Sequence, residues 1–189
     1  MELTESYTLP ISQQRTWEAL NDTAVLRASI PGCESIEADG ENAFALSMSA
    51  SVGPVKARFK GRMLLTDIDA PQTYTIVFEG QGGVAGFGKG SARVVLESEG
   101  AEATKLTYTA SAQVGGKLAQ IGSRLVDGAA RKLAGEFFKR FIAQVSGGGD
   151  AAAETAAAAD TASNDDAYAA SGDDQTKRKK SWTAWISKS

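Results

Sequence analysis

The feature that most constrains this chain is a strict alternation of apolar and polar residues through positions 43–65. In the segment VKARFKGRMLL, the odd positions are apolar or small, whereas positions 56–62 carry a base at every even position. A period of two is typical of strands that bury one face and expose the other. Gly53-Pro54 predicts a sharp bend between two such strands. The apolar side of the first strand comprises Phe44, Leu46, Met48, Ala50 and Val52.

Similar segments on both sides of this pair predict further antiparallel strands, joined by Gly, Asp and Pro turns. These segments are residues 2–9, 73–80, 90–98 and 103–114. After the first strand, Pro10 ends the extended pattern and Ser12 is a candidate helix cap. Two short helices are predicted next, over residues 13–22 and 22–30.

The apolar period changes to three and four between Gly116 and Val145, which predicts one long amphipathic helix. Its stripe comprises Leu118, Ile121, Leu125, Ala129, Leu133, Phe137, Phe141 and Val145. Gly122, Gly128 and Gly135 each cost roughly 1 kcal/mol relative to alanine, so they indicate bending or close approach. We therefore predict an α+β fold, in which about seven antiparallel strands curve around one long C-terminal helix.

A curved sheet and one helix leave space between them, particularly where the inner positions are small, as at Gly61, Ala92 and Ala110. A hollow core is therefore one expectation and a fully packed core is the other. Inward aromatic, Met and Leu side chains would line a hollow, and an apolar lining suits a hydrophobic small molecule. The candidates are Trp17, Phe44, Met48, Phe59, Met63, Tyr74, Phe78, Tyr108, Leu125 and Phe137.

Three segments carry a resemblance to a known family: IPGCESIE at 30–37, GPVKARFKGRMLLTDIDAP at 53–71 and GQGGVAGFGKGSARVVLE at 80–97. Residues 1–146 resemble the CoxG family of carbon monoxide dehydrogenase subunits, within the START-like (SRPBCC) helix-grip superfamily. The resemblance implies a non-catalytic accessory protein that recruits a carbon monoxide dehydrogenase-like molybdenum hydroxylase to the cytoplasmic membrane. It also implies that the cavity binds a respiratory quinone, menaquinone or ubiquinone, with no tightly bound cofactor.

Alternatives to that function are a cyclase- or aromatase-like cavity enzyme and a general carrier of lipids or other hydrophobic ligands. The sequence contains no histidine and a single cysteine, Cys33. Histidine-dependent triads and histidine metal sites are thereby excluded, and one cysteine cannot build a cysteine-rich metal cluster. We therefore predict no catalytic residue and no metal site.

The glycine-rich segment 80–90 does not have the phosphate-loop spacing, since Lys89 is followed by Gly90 and a strand pattern comes next. One hypothesis makes it a gate at the cavity mouth, with Phe87 touching ligand or membrane. The other hypothesis makes it a solvated hairpin loop.

The basic row of even positions 56–62 is expected to be a solvated sheet face, paired with acids such as Glu79 and Glu97. Attraction of anionic lipid or of an acidic partner is the alternative. Nucleic acid is not an expected partner, because no aromatic platform accompanies these bases.

The end of the chain differs sharply in charge from what precedes it. Residues 147–176 carry seven acids, no base and few large apolar groups, a composition typical of a disordered linker. Residues 177–189 carry five bases and no acid. The basic and apolar residues of this tip are Lys177, Arg178, Lys179, Lys180, Trp182, Trp185 and Ile186.

Trp182, Trp185 and Ile186 would share one face of a helix, and tryptophan favours the membrane–water interface. Each base near an anionic leaflet contributes about 1 kcal/mol to binding. We therefore predict peripheral attachment to the inner face of the cytoplasmic membrane, in a cytoplasmic protein without a secretory signal. Docking on a protein groove and a tail without function are the alternatives.

Overall fold

A computed structural model describes residues 1–150; the rest of the predicted linker, 151–176, and the tip, 177–189, lie outside the described residues. Seven strands and four helices make up this part of the chain. In order they are β1 (Glu2–Leu9), α1 (Gln13–Leu20), α2 (Thr23–Ser29), β2 (Cys33–Ala38), β3 (Ala43–Val52), β4 (Val55–Asp69), β5 (Thr73–Gln81), β6 (Phe87–Gly100), β7 (Ala103–Gly115), α3 (Lys117–Gln120) and α4 (Ser123–Asp150). A short 3₁₀ turn at Gly83–Ala85 joins β5 to β6.

All seven strands form one antiparallel sheet in the order β1-β7-β6-β5-β4-β3-β2. Strands β2 to β7 form a meander, and β1 pairs with the last strand, β7. The register of β3 and β4 places Val52 opposite Val55, so Gly53-Pro54 is a two-residue turn. The α+β helix-grip prediction, with about seven strands and two short helices after the first, is confirmed.

Local side-chain chemistry explains where the two short helices begin. The Ser12 hydroxyl accepts a hydrogen bond from the backbone N–H of Arg15 at the start of α1. The Asp22 carboxylate accepts hydrogen bonds from the N–H groups of Ala24 and Val25 at the start of α2. Each cap satisfies donors that have no partner within the helix. These helices carry the chain from β1, at one edge of the sheet, to β2 at the other.

The C-terminal helix differs from its prediction at both ends. Gly122 has a φ of +95°, which an α-helix cannot include, so the predicted helix from Gly116 is interrupted between α3 and α4. Helix α4 then continues to Asp150, four residues beyond the predicted domain boundary. The apolar stripe describes α4 well only in its second half, where Phe141 and Val145 are buried.

The core lies between α1, α2, the second half of α4 and the sheet face that packs against them, which we call the inner face. Leu9, Leu96, Leu106 and Phe141 are its most deeply buried large side chains, each at most 2 % exposed. Inner-face residues alternate with exposed ones along most of β4, as the sequence pattern predicts.

Candidate ligand cavity

The inner face does not pack completely against the helices, and it leaves an apolar cavity of about 420 Å³. This volume lies within the range of small-molecule pockets. Strand residues in the wall are Phe44, Met48, Met63, Leu65, Tyr74, Ile76, Phe78, Ala92, Val94, Leu106 and Tyr108. Helix and turn residues in the wall are Leu20, Leu26, Ile30, Pro31, Leu133, Ala134, Phe137 and Phe138. Among residues 1–147, no charged side chain contributes to the wall, which makes it suited to an apolar occupant.

The hollow lies where inner-face side chains become smaller from one side of the sheet to the other. Leu65 and Ile76 lie opposite each other on β4 and β5, and the same row continues through Ala92 on β6 to Ala110 on β7. Side chains therefore shorten toward β6 and β7 while the distance to α4 still has to be filled. Ala92, one of the small inner residues named from the sequence, lines the cavity.

Seven of the predicted lining residues lie in the cavity wall: Phe44, Met48, Met63, Tyr74, Phe78, Tyr108 and Phe137. The structure adds wall residues that the sequence did not single out, chiefly Leu26 within α2, Ile30 directly after it, and Phe138. Phe138 is buried and stacks on Tyr7, with ring centroids 4.1 Å apart. Because Phe138 directly follows Phe137 in the sequence, it could have been included in the apolar face of the predicted helix.

Two other candidates have inward positions but lie outside the wall. Trp17 packs behind the wall, with its ring edge-on to Tyr74 and centroids 5.2 Å apart. Phe59 has the inner-face parity of β4, yet its ring lies against Gly82 at the end of β5. A Cβ at Gly82 would overlap that ring, so the aromatic group is accommodated by the absence of a side chain there.

The remaining two candidates face solvent. Phe87 begins β6 at an odd position, whereas the wall residues Ala92 and Val94 are even, so its side chain lies on the outer face. The ring covers Gly115 and remains 45 % exposed. Leu125 is 48 % exposed near the turn at Gly53.

A second hollow lies beside the cavity, under the first half of α4. We call it the α4 groove; it has a volume of about 610 Å³. Its walls come from Gly32, Ser49, Ala50, Ser51, Gly53, Arg124, Leu125, Gly128, Ala129, Lys132, Glu136 and Arg140. Pro31 and Leu133 belong to the walls of both hollows. These two side chains therefore separate the apolar cavity from the charged groove.

A polar cluster borders the cavity at the edge strand β1. The hydroxyl groups of Tyr7 and Tyr108 both donate to one carboxylate oxygen of Glu5, at 2.8 and 3.0 Å. Burial, with smaller contributions from the Glu5 hydrogen bond and charge, raises the pKa of Tyr7 to about 12. The same causes, again with burial first, raise the pKa of Tyr108. Both phenols therefore stay protonated and keep donating to Glu5 throughout the physiological range.

Tyr74 is the other tyrosine of the wall, and it is only 3 % exposed. Burial is the cause of its raised pKa. Among residues 1–150, its hydroxyl forms no hydrogen bond.

Two of the four bases in the basic row of β4 form salt bridges on the outer face. Arg58 pairs with Glu34 at 2.8 Å and Arg62 pairs with Asp39 at 3.0 Å. Hydrogen bonding from Ser49, followed by the charge of Arg58, lowers the pKa of Glu34. The two arginines of the row are thus paired with acids, but these come from β2 and the turn after it, rather than being Glu79 and Glu97 as predicted.

Known structures share this architecture. A conserved protein from Geobacillus kaustophilus is 33 % identical, with a TM-score of 0.73 over 77 % of this chain and 95 % of that chain. A START superfamily protein from Mycobacterium smegmatis is 13 % identical, with a TM-score of 0.59 over 77 % and 97 % of the two chains. The Zhui aromatase/cyclase from Streptomyces sp. R1128 is also 13 % identical, with a TM-score of 0.58 over 77 % and 93 %.

Those likenesses at 13 % identity establish a START-like fold. A comparison with curated proteins gives no match. In residues 1–150, no helix has both the length and the apolar character needed to cross a membrane. The family model of CoxG, a carbon monoxide dehydrogenase subunit, matches residues 6–146. This match covers nearly all of the helix-grip domain, including the cavity, and the chain therefore belongs to the CoxG family.

Proposed function

We propose that this protein is a non-catalytic accessory protein that recruits a carbon monoxide dehydrogenase-like molybdenum hydroxylase to the cytoplasmic membrane and holds a respiratory quinone, menaquinone or ubiquinone. Membership of the CoxG family supports an accessory role associated with carbon monoxide dehydrogenase. The observation that carries the ligand-binding part is the apolar cavity, to whose wall the described part of the chain contributes no charged side chain.

The chemistry of the wall suits a flat, hydrophobic ring system. Phe44, Phe78 and Phe137 supply aromatic surface for stacked or edge-on contacts. Met48 and Met63 supply flexible, polarizable side chains that adapt to an irregular occupant. Apolar surface removed from water contributes roughly 25 cal/mol per Å², so such a ligand would gain most of its affinity from burial.

A cyclase- or aromatase-like activity is the second candidate, favoured by the similarity of fold to the Zhui aromatase/cyclase. General acid–base catalysis needs a group that exchanges a proton near neutral pH. The two tyrosines of the wall both have raised pKa values, and no carboxylate or amine from the described residues lines the cavity. The wall therefore favours binding over turnover.

The quinone proposal is tested by expressing the full-length chain in a quinone-containing bacterium and extracting the purified protein with organic solvent. Mass spectrometry of the extract should give close to one quinone per protein. The control is Ala92→Leu, which extends a side chain into the hollow and should reduce the bound quinone. A folded wild-type protein that carries no quinone would exclude this ligand, and an extract rich in other lipids would favour a general carrier.

Membrane recruitment depends on the tip, residues 177–189, which the structure does not describe. The full-length chain and a chain ending at residue 176 are compared for sedimentation with anionic phosphatidylglycerol vesicles. We expect deletion to abolish binding and salt to weaken binding of the full chain, because exposed charges are screened within about 10 Å at 0.1 M. Equal sedimentation of both chains would refute the anchor.

Partner recruitment needs a separate measurement. The full-length chain is tagged and isolated from membranes of a host that expresses a molybdenum hydroxylase. We expect that enzyme to co-purify with the chain, and the molybdenum content of the isolated sample measures how much is retained. If the enzyme sediments with membranes equally well in a host that lacks this protein, recruitment is excluded.

A further inference from the structure

The two tyrosines in the cavity wall belong to one row of the sheet but differ in hydrogen bonding. Tyr74 on β5 lies opposite Val94 on β6, Val94 lies opposite Tyr108 on β7, and Tyr108 lies opposite Glu5 on β1. Tyr108 is next to the carboxylate of Glu5 and donates its hydroxyl proton to it. Tyr74 is two strands further from that acceptor, and its hydroxyl has no partner among residues 1–150.

The Tyr74 side chain is only 3 % exposed, and its oxygen keeps a small accessible surface without a hydrogen-bond partner among residues 1–150, so most of its hydration is lost at a cost in free energy. Phenylalanine would fill the same position without that cost. Trp17 packs edge-on against the Tyr74 ring and Leu20 lies in the neighbouring wall, so the ring is enclosed by α1 on one side and by the cavity on the other. Tyr74 lines the cavity, so a molecule held there can approach the accessible surface of this side chain.

We propose that Tyr74 is the hydrogen-bonding anchor of the cavity and that its hydroxyl donates to a carbonyl oxygen of an otherwise apolar ligand. This inference rests on the proposed function, since it requires that the cavity hold a hydrophobic molecule. It adds the residue that orients the ligand and the chemical group that the residue recognises.

A count of donors and acceptors favours a carbonyl over a hydroxyl group. A carbonyl oxygen needs only a donor, and the Tyr74 hydroxyl supplies one. A ligand hydroxyl group brings its own proton into the same apolar site. Whichever partner then donates, the second proton needs a further acceptor, and among the wall side chains of residues 1–150 only the Tyr108 oxygen, two strands away from Tyr74, could supply one.

The test uses the full-length protein and two probes of similar shape, 2-acetylnaphthalene and 2-ethylnaphthalene, of which only the first has a carbonyl group. Affinities are measured by titration for the wild type, Tyr74→Phe and Tyr108→Phe. We expect Tyr74→Phe to weaken binding of the ketone about three- to tenfold, the usual value of one hydrogen bond, and to leave the hydrocarbon unchanged. Tyr108→Phe is the matched control and should alter the two affinities equally or not at all.

The melting temperature of the ligand-free protein is a second measurement. It distinguishes a ligand anchor from a residue whose hydroxyl stabilises the fold. Tyr74→Phe removes an unpaired hydroxyl group, so the melting temperature should stay unchanged or rise. Tyr108→Phe removes a donor to Glu5, so the melting temperature should fall. A fall for Tyr74→Phe as large as that for Tyr108→Phe would overturn the proposal, since it would reveal a protein partner for the Tyr74 hydroxyl.

The outcomes separate the anchor from the cavity function. If both probes bind and Tyr74→Phe affects them equally, the anchor is refuted while hydrophobic binding stands. If neither probe binds the folded wild type, the proposed cavity function fails and the anchor fails with it. Selective weakening of the ketone supports both.

Discussion

The two halves of α4 cover the same sheet but pack against it to different degrees. In the second half, Phe138, Phe141 and Val145 are buried, and Phe141 is fully enclosed. In the first half, Leu125 is 48 % exposed and the α4 groove lies open beneath it. The apolar period is the same in both halves.

The difference lies in what faces the helix. The second half meets large side chains of β1, α2 and β7, including the rings of Tyr7 and Tyr108. The first half faces small residues near the β3–β4 turn, such as Ser49, Ala50 and Gly53. An amphipathic helix therefore buries its stripe only where the opposite surface is large and apolar. The remaining gap is the α4 groove, and we expect a ligand to enter the cavity past the side chains that separate the two.

The largest expected effect is on the free energy of unfolding, and it tests the difference in packing between the two halves of α4. Phe141→Ala should lower the free energy of unfolding by about 3–5 kcal/mol, because it removes a fully buried aromatic ring and leaves a cavity. Leu125→Ala should lower it by less than about 1 kcal/mol. Urea denaturation followed by circular dichroism measures both, and Phe141→Leu replaces Phe141→Ala if that variant does not fold. Equal losses would show that the first half is as well packed as the second.

The second prediction concerns the boundary between the two hollows. Leu133→Trp enlarges a side chain that both walls share, so it should slow association of 2-acetylnaphthalene about tenfold, or roughly 1.4 kcal/mol in activation free energy. Leu125→Trp is the matched control, because Leu125 lines only the α4 groove. Stopped-flow fluorescence gives the rates. If the two variants bind at the wild-type rate, the ligand enters elsewhere.

The third prediction tests the polar cluster of Glu5, Tyr7 and Tyr108, which lies beneath the second half of α4. The pKa of Tyr7 is raised to about 12 from the usual 10, so the unfolded chain loses this proton at a lower pH than the folded chain does. The contribution of Tyr7 to stability is therefore fully present below pH 10 and is lost as the pH rises through 12. Between about pH 9 and 11, the free energy of unfolding should fall by roughly 1 kcal/mol more in the wild type than in Tyr7→Phe. Identical pH slopes in urea denaturation would contradict this.

The smallest expected effect is on ligand affinity and concerns Phe87, which begins β6 after the glycine-rich loop. Phe87 lies on the outer face against Gly115, outside the cavity wall, so Phe87→Ala should change the affinity for 2-acetylnaphthalene less than about twofold. A large change in affinity or in the dissociation rate would instead identify the glycine-rich loop as the cavity mouth, in place of the α4 groove.

Much of the fold could be predicted because its determinants are local. The strand parity around Gly53-Pro54 assigned Phe44, Met48 and Met63 to the inner face, and all three line the cavity. Ser12 was predicted as a cap and accepts the expected hydrogen bond. Such features depend on residues close in sequence, so a period or a cap residue is sufficient to reveal them.

The errors concern features that depend on distant residues or on exact boundaries. The predicted strand 90–98 began three residues too late, which hid that Phe87 belongs to the outer face of β6. Gly122 ends a helical segment because of its backbone conformation, which periodicity does not reveal. The acids that pair with Arg58 and Arg62 are far from them in sequence and become neighbours only through the β2–β3–β4 register.

The sequence alone determined which side chains face inward along most strands, because a strand places successive side chains on opposite faces whatever surrounds it. Only the tertiary structure decided how far α4 stands from the sheet, and hence that a hollow of about 420 Å³ remains. It also decided that Tyr108 reaches Glu5, whereas Tyr74 has no such partner among residues 1–150. Hydrogen bonding between side chains depends on the order of strands in the sheet, which brings residues 5 and 108 together and leaves residue 74 beside the cavity.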